Sequence, residues 1–528
     1  MKRALFHRGW AVAASLLAVS LAGAAPVPWD DVAEAAKGWL VLMGETPLEQ
    51  KVSGEWSGFE TILDEQGLPL CHLFYLSEGG LLVLSPDDEI EPVIAFSSSS
   101  ISKTESLPGD PFREMLERDM SARLLAVKAG QTTGEGGKQA KWILLQAAAR
   151  DPERVKAGLS WVSDLRVAPL VQSRWSQQTV SVNGTPKAVY NFYTPKYASG
   201  SPNNYPCGCI PTAIAQLMRY HQHPTTAVGT RSFPISVDGV KTYRSLRGGD
   251  GSGGPYKWWA MPLNPQASGN QLTDAQRKAI GALTHDVGVA SQAQYSRYAT
   301  SAYLCWSAGY HPLQTVFRYA DVESPWVNTW ESYSKATINQ ALNPNLDARL
   351  PCAITVNGRD GGHAVVVDGY GYAAGTLYHH LNFGWAGQAD AWYNLPSEVQ
   401  TKYSAYLVIG MLFNLHPTQS GFHIISGRVL GLNGKPLGGV KVAARSTGTG
   451  IAYSSRTNER GIYAILVPRF ASYEVKAKAD GLGFMPRARA VTVGTTVARN
   501  VWGANYRAVT RVMALSDTSL AFGPVPVG

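Results

Sequence analysis

The stretch CGCIPTAIAQLMRYHQHP, Cys207 to Pro224, places a cysteine at the start of a predicted amphipathic helix. Its apolar residues recur at steps of three and four, and Pro211 suits a first helical turn, where a backbone amide would be unpaired anyway. Cys209 would then lie at the positive end of the helix, where free amides and the macrodipole favour a thiolate. Free cysteines are more often buried and inert, so the helix alone leaves both interpretations open.

A base and an orienting group for this thiol follow far downstream. His363 follows two glycines in GRDGGHAVVVDGY and precedes a valine run typical of a buried strand. Asn382 closes the next short strand, in LYHHLNFGWAGQADAWYNL. A nucleophilic thiol needs a base to take its proton, and the base needs a third group that fixes its tautomer. Cysteine, histidine and asparagine occur in that order, at separations near those of papain-like proteases.

The motifs around these three residues resemble the streptopain family of secreted, papain-like cysteine peptidases that are made as inactive precursors. The resemblance rests on four blocks: VAPLVQSRWSQQ followed by YNFYTP (Val167 to Pro195), GC-x-x-T-A-x-A-Q-x-M-x-Y-H (Gly208 to His221), GGHA-x-V-x-DGY (Gly361 to Tyr370) and H-x-N-x-GW-x-G (His380 to Gly387). It implies that Cys209 is the nucleophile and His363 the general base. It also implies that Asn382 orients the imidazole and that Trp385 shields that contact.

Two residues near the nucleophile depart from the papain-like pattern. Asn203 stands six residues before Cys209, where such enzymes usually carry a glutamine that donates to the oxyanion. An amide of shorter reach could still donate, so its role is open. Cys207, two residues from the nucleophile, is either a resolving thiol or a structural cysteine or disulfide partner.

The predicted fold class is α+β, with a papain-like catalytic domain of two subdomains between a small α+β propeptide domain and an all-β, prealbumin-like sandwich. The cleft would run between a helix-rich half with Cys209 and a strand-rich half with His363 and Asn382. The predicted segments are a signal peptide at 1–24, an inhibitory propeptide at 25–165, the peptidase domain at 166–416, a carboxypeptidase-regulatory-like sandwich at 420–506, and the start of a further immunoglobulin-like module or a tail at 507–528.

The N-terminal end indicates export. Lys2, Arg3 and Arg8 flank the apolar run from Ala11 to Leu21, and a small-residue cleavage site, Ala22-Gly23-Ala24, follows. That run is too short to span a bilayer, and no later apolar run is long enough. We therefore expect a secreted protein without a membrane span.

The segment from about residue 26 to 165 is predicted to be a propeptide. It is comparatively acidic, and its short alternating runs CHLFYL and GGLLVLS are typical of strands. Asp110 and Pro111 begin a predicted helix, Gly130 follows that helix, and another helix is predicted from about Lys138 to Ala157. A domain tethered to a protease blocks the cleft at high effective concentration until a cut releases it. The alternative is an independent accessory domain.

The segment after about Pro417 alternates apolar and polar residues and carries turn signals such as Asn433-Gly434. It resembles the β-sandwich modules appended to many secreted bacterial enzymes, which implies spacing or attachment to a cell surface or a polysaccharide. We expect this module to be dispensable for chemistry, with its own core and few contacts to the catalytic one.

Other features favour no further ligand. The net charge is +8, but without a Lys/Arg run we expect no nucleic-acid partner. We expect no cofactor and no metal: His221 and His223 suit the C-terminal dipole of their helix, and His379 and His380 lack a third ligand. Asp368 lies on the opposite strand face from His363, which favours a turn-forming role before Gly369.

Together these features predict a secreted cysteine endopeptidase that acts on proteins or peptides and is inhibited by its own propeptide. One alternative is a non-catalytic adhesin or surface-binding protein on a papain-like scaffold. Another is a thiol–disulfide oxidoreductase that uses Cys207 and Cys209, although their spacing lacks the usual two intervening residues. The odd cysteine count fits one reserved thiol, and the sequence leaves the pairing of the others open: Cys71, Cys207, Cys305 and Cys352.

Overall fold

A computed structural model describes most of the chain. The described residues are 26–44, 47–52, 55–98, 110–130, 137–153, 155, 163–199, 201, 203–267, 269, 271–304, 311–325, 335–357, 362–395, 407–494 and 499–510. The predicted signal peptide at 1–24 and most of the predicted tail lie outside them. None of the helices in these ranges is long and apolar enough to cross a membrane.

The N-terminal region combines helices with an antiparallel meander of strands. The helices are α1 (Trp29–Met43), α2 (Pro111–Lys128) and α3 (Lys138–Arg150), and the strands are β1 (Trp56–Leu63), β2 (Pro69–Leu76), β3 (Leu81–Leu84) and β4 (Val93–Ser97). The Asp110 carboxylate caps α2 by accepting from the amides of Phe112 and Arg113, as the sequence predicts for a helix that starts with Asp-Pro.

The predicted peptidase domain, called the catalytic region below for its predicted role, has a helix-rich half that packs around one hydrophobic core. Its elements are α4 (Cys209–His221), α5 (Asp274–Ala290) and α6 (Pro312–Thr315), with the short strands β6 (Val180–Val182), β7 (Thr185–Lys187), β8 (Ser232–Val237), β9 (Val240–Ser245), β10 (Gln294–Tyr295) and β11 (Thr300–Ser301). Nine consecutive residues of α4, Ile210 to Met218, are buried, because the helix lies between this core and the sheet of the other half.

The strand-rich half is built on a long twisted sheet backed by α7 (Lys335–Asp347). Its strands are β5 (Asp164–Val167), β12 (Asp321–Glu323), β13 (Cys352–Asn357), β14 (Gly362–Ala373), β15 (Thr376–Asn382), β16 (Ala391–Tyr393) and β17 (Val408–His416). The order is β1-β2-β3-β4-β16-β15-β14-β13-β17-β12, with β5 paired to β14. The N-terminal strands thus continue the catalytic sheet, through pairs such as Trp392 with Phe96.

A buried ion pair reinforces the junction between the N-terminal and catalytic regions. Arg123 and Asp119 of α2 bond at 2.9 Å, and they are 5% and 0% exposed. The guanidinium also donates to the side-chain and backbone oxygens of Asn394 at 3.1 and 2.8 Å. The Tyr393 hydroxyl donates to Asp119 at 2.8 Å. The ion pair itself lies within α2, and its bonds to Tyr393 and Asn394 join that helix to the catalytic region.

The C-terminal region is a sandwich of two four-stranded sheets around its own core. Its strands are β18 (Phe422–Leu430), β19 (Lys441–Ser446), β20 (Ala452–Arg456), β21 (Ile462–Pro468), β22 (Ser472–Lys478), β23 (Leu482–Met485), β24 (Arg489–Thr492) and β25 (Tyr506–Thr510). This confirms the predicted all-β module.

Two predicted domain boundaries fall inside strands. β25 pairs with β18 and β23, so residues 507–510 are paired with strands of the sandwich. The boundary at 165/166 would divide β5, which pairs with β14. Gly369 permits this pairing, because a Cβ there would lie 2.8 Å from the Val167 carbonyl oxygen. Such tertiary pairings leave no trace in local sequence patterns.

The sandwich also makes more contacts with the catalytic region than the sequence suggests. Arg428 pairs with Asp164 of β5 at 2.6 Å, and Arg469 pairs with Asp321 of β12 at 2.8 Å. The Trp502 indole donates to the Tyr370 hydroxyl at 3.4 Å. The expectation of few shared contacts is therefore wrong, since these partners lie far apart in the sequence.

A chain that ends after Pro417 should lose stability even though its active-site residues are intact. The truncated chain would lose the Arg469 bond to Asp321 and the Arg428 bond to Asp164, so we expect the free energy of unfolding to fall by about 2 kcal/mol or more. Urea unfolding of both proteins measures this, with Arg445→Met, on the outer side of β19, as a neutral control. Unchanged stability would contradict the docking contacts. Below the unfolding midpoint, peptide turnover should stay within a few-fold of the full chain.

Candidate active site

Cys209 is the first residue of α4, where the sequence places it. Gly208 precedes it with φ 99°, and a Cβ there would lie 2.7 Å from the Thr300 carbonyl oxygen. Only glycine meets both conditions. The Thr212 hydroxyl donates to the Gly208 carbonyl at 2.9 Å and so fixes the first turn. The thiol is partly buried and points toward β14.

His363 is the second residue of β14, and its imidazole hydrogen-bonds the Cys209 thiol. Burial disfavours the Cys209 thiolate, but the His363 charge, the His363 hydrogen bond and the backbone amides of Ala364 and Ile210 outweigh it and lower the thiol pKa. Burial likewise disfavours the imidazolium, yet Cys209 raises the His363 pKa above its ordinary value. These opposite shifts favour a thiolate–imidazolium pair.

The imidazole also hydrogen-bonds a group that the sequence does not single out. Nε2 of His363 hydrogen-bonds the Phe383 carbonyl oxygen at 2.9 Å, which leaves Nδ1 for the thiol. The Phe383 ring lies nearly parallel to the imidazole, with centroids 6.0 Å apart and an interplanar angle of 14°. The amide of Phe383 donates to the Asp390 carboxylate at 3.0 Å. The group that bonds Nε2 is therefore a backbone carbonyl, which sequence patterns cannot single out.

The Asn382 side chain is buried beside this carbonyl and holds the turn that presents it. Its Nδ2 donates to the Ser173 carbonyl at 3.0 Å. Its Oδ1 accepts from Gln216 Nε2 and from the Gly384 amide, each at 3.0 Å. One of these bonds leads to α4, and the other two lead to Ser173 and Gly384. Asn382 directly precedes Phe383, so it lies one residue from the carbonyl that contacts the imidazole, and its predicted role in orienting His363 remains a prediction.

Trp385 and Asn203 are less closely tied to the thiol than the sequence suggests. The ring stacked beside His363 belongs to Phe383, whereas Trp385 is partly buried against the core of the large sheet. Asn203 is exposed, and its backbone amide donates to Ser201 Oγ at 3.1 Å. Shielding by Trp385 and oxyanion donation by Asn203 remain predictions.

Cys207 has the properties of a structural cysteine. It is fully buried, its sulfur lies 3.3 Å from Thr212 Oγ1, and burial raises its pKa to about 12. It is also free, as are Cys71 and Cys352, whereas Cys305 lies outside the described residues. A protonated, enclosed thiol is a poor resolving partner, which disfavours disulfide exchange at this site.

One histidine and one aspartate differ from their predicted roles. Burial lowers the pKa of His221 to about 4, so it is neutral and adds no positive charge to the end of α4. Asp368 lies inside β14, where it accepts from the Val171 amide at 2.8 Å and pairs with His380 at 2.6 Å. The predicted turn is therefore wrong. Among the described residues, no group of three histidines, cysteines or carboxylates could hold a metal ion.

The fold and site define an α+β protein in which a thiol on a helix start meets an imidazole on a strand across two packed halves. Residues 185–393 match the peptidase C10 family, and residues 424–501 match the carboxypeptidase regulatory-like domain. Both resemblances predicted from the motifs are confirmed.

Individual relatives point the same way. The chain is 28% identical over 243 residues to streptopain of Streptococcus pyogenes serotype M28, covering 43% of this chain and 56% of that protein. It is 26% identical over 193 residues to the thiol protease/hemagglutinin PrtT of Porphyromonas gingivalis, covering 35% of this chain and 20% of the relative. It thus matches little more than half the length of the streptopain sequence.

The architecture of the N-terminal and catalytic regions has a solved counterpart. A structure of a Prevotella intermedia prointerpain A fragment aligns over 69% of this chain and 99% of that chain, with a TM-score of 0.50 and 22% identity. This likeness confirms the α+β fold of the N-terminal and catalytic regions.

Proposed function

We propose that the protein is a cysteine endopeptidase that hydrolyses peptide bonds in protein substrates. The Cys209 thiolate adds to the scissile carbonyl carbon, and the His363 imidazolium gives its proton to the leaving amine as the carbon–nitrogen bond breaks. Water then attacks the thioester, and His363 takes its proton and returns the thiol. The backbone amides at the start of α4 stabilise the oxyanion, and the Asn203 side chain is the proposed further donor. The observation that carries the proposal is the hydrogen-bonded thiol–imidazole pair with its opposite pKa shifts.

We further propose that the N-terminal region keeps the enzyme latent. Phe112, at the start of α2, packs edge-on against Phe383, with centroids 5.6 Å apart and an interplanar angle of 85°. Glu114, one turn into the same helix, contributes to the raised pKa of His363. The N-terminal region thus reaches the residue that holds the catalytic imidazole.

The latency proposal predicts a large difference between the unprocessed and the trimmed chain. A protein that starts between about residues 158 and 174 should hydrolyse a fluorogenic peptide, and the full-length chain should be nearly inactive until it is cut. The isolated N-terminal segment, added back, should inhibit. Equal rates for both proteins, with no cleavage visible on a gel, would contradict latency. Two trimmed proteins, one that starts at residue 163 and one that starts at residue 168, should be compared, because only the first retains β5.

We also propose that the protein is exported and that its C-terminal sandwich serves in attachment. The basic flank, apolar run and small-residue site at residues 1–24 support secretion. The C-terminal sandwich supports a role in attachment to a cell surface or polysaccharide, since the residues proposed for chemistry all precede it. An affinity probe for cysteine proteases distinguishes this enzyme from a non-catalytic adhesin: it should label Cys209 in the trimmed protein, whereas an adhesin would stay unlabelled.

A further inference from the structure

Gln216 is a fully buried polar residue on the helix that carries the nucleophile. It lies seven residues after Cys209, two helical turns along the same face. Its Nε2 donates to Asn382 Oδ1 at 3.0 Å. Its Oε1 accepts from the Ser173 hydroxyl at 2.9 Å and from the Trp175 amide at 3.3 Å. One side chain therefore joins the helix-rich half to the loop that follows β15 in the strand-rich half.

A second contact one turn earlier fixes the same distance between the two halves. Gly384, with φ 68°, packs against Thr212, and a Cβ at that glycine would lie 3.0 Å from Thr212 Cγ2. Thr212 and Gln216 are four residues apart and hence on one face of α4. The turn that contains Asn382 and Gly384 is thus seated on the nucleophile helix at two successive points.

The turn that contains Asn382 and Gly384 also contains Phe383, the residue that bonds the catalytic imidazole. Asn382 precedes Phe383, whose carbonyl accepts from His363. We propose that Gln216 is a positioning residue: through Asn382 it sets the place of the Phe383 carbonyl, and hence of the His363 ring, relative to the Cys209 thiol on its own helix. The proposal rests on the proposed peptidase function and adds a residue that its chemistry does not touch.

The chemistry of the site explains why an amide is needed at this position. Gln216 donates to one partner and accepts from two others at the same time. An ionised glutamate could not donate, and an apolar side chain would leave the buried Asn382 oxygen and the Ser173 hydroxyl with fewer partners. The nucleophile and the base lie on different halves. A shift of the Asn382–Gly384 turn by about 1 Å relative to α4 would therefore lower the rate of hydrolysis by up to about 100-fold.

The test compares Gln216→Met with Gln172→Met, a change of an exposed glutamine in the segment that leads to Ser173. We expect Gln216→Met to lower kcat about 10-fold to 100-fold with little change in KM, because the substrate does not reach this side chain. The pH midpoint of Cys209 alkylation should move up toward that of an ordinary thiol. Gln172→Met should match the wild type in both measurements.

A double substitution shows whether Gln216 acts through Asn382. If it does, Gln216→Met combined with Asn382→Ala should lose no more activity than Asn382→Ala alone. Additive losses, or a Gln216→Met enzyme with wild-type kcat and alkylation midpoint, would overturn the inference. If Gln216→Met does not fold, Ser173→Ala, which removes one bond to Gln216, should give a smaller upward shift of the same midpoint, and no shift would overturn it. A different result would contradict the proposed function itself: a wild-type protein that does not hydrolyse peptides and whose Cys209 is alkylated only at the pH of an ordinary thiol.

Discussion

Replacement of Cys209 or of His363 by alanine should reduce peptide hydrolysis by at least about 1,000-fold, because the two act as one unit and neither substitutes for the other. Each substitution removes one partner of the hydrogen-bonded pair. The trimmed protein should be used, with a fluorogenic peptide as substrate and circular dichroism as the check on folding. The double variant should be little worse than either single one.

Cys207→Ser is the matched control for this experiment. It changes a cysteine two residues away whose thiol is buried and whose pKa is raised to about 12. We expect it to keep most of the activity. Retained turnover in Cys209→Ala would exclude that thiol as the nucleophile, and equal losses from the two cysteine variants would favour redox chemistry instead.

Arg123→Met should lower the free energy of unfolding of the full-length chain by about 3–5 kcal/mol, the effect of removing one partner from a buried ion pair. The change leaves Asp119, which is 0% exposed, with only the Tyr393 hydroxyl at 2.8 Å among the partners described above. It also removes two hydrogen bonds to Asn394. Urea unfolding measures the loss.

Arg118→Met, on the same helix, provides the comparison. Arg118 is only partly buried and forms no ion pair within the described residues. A change below about 1 kcal/mol is expected there. If Arg123→Met were equally mild, the bond between α2 and the catalytic sheet would not contribute to stability in the way that the geometry indicates.

The sequence predicts the reacting groups better than the framework that aligns them. The helix at Cys209 and the strand at His363 follow from local periodicity and turn residues, and the structure has both. The Phe383 carbonyl could not be predicted, since every residue has one and only the fold selects it. Gln216 did leave a signal, a polar side chain two turns from the nucleophile on an apolar face, but its partners come from distant segments.

The same limit applies to the larger architecture. Alternation predicts that the N-terminal segment contains strands, yet it cannot show that β4 pairs with β16 and continues the catalytic sheet. Similarly, a lone Asp before Gly suggests a turn at Asp368, whereas a buried histidine twelve residues later makes it an ion-pair partner within a strand. Pairings of this kind depend on tertiary contacts and not on local propensity.

The pH dependence of Cys209 alkylation tests the central claim, a thiolate stabilised by His363, most directly. Iodoacetamide would be added from about pH 4 to pH 10, with Cys209→Ala as the background, since the rate follows the thiolate fraction. We predict a midpoint below that of an ordinary thiol, and an upward shift in His363→Ala. Hydrolysis should fall on both sides, at low pH as Cys209 gains a proton and at high pH as His363 loses one. A midpoint at the ordinary thiol value, unchanged in His363→Ala, would contradict the account.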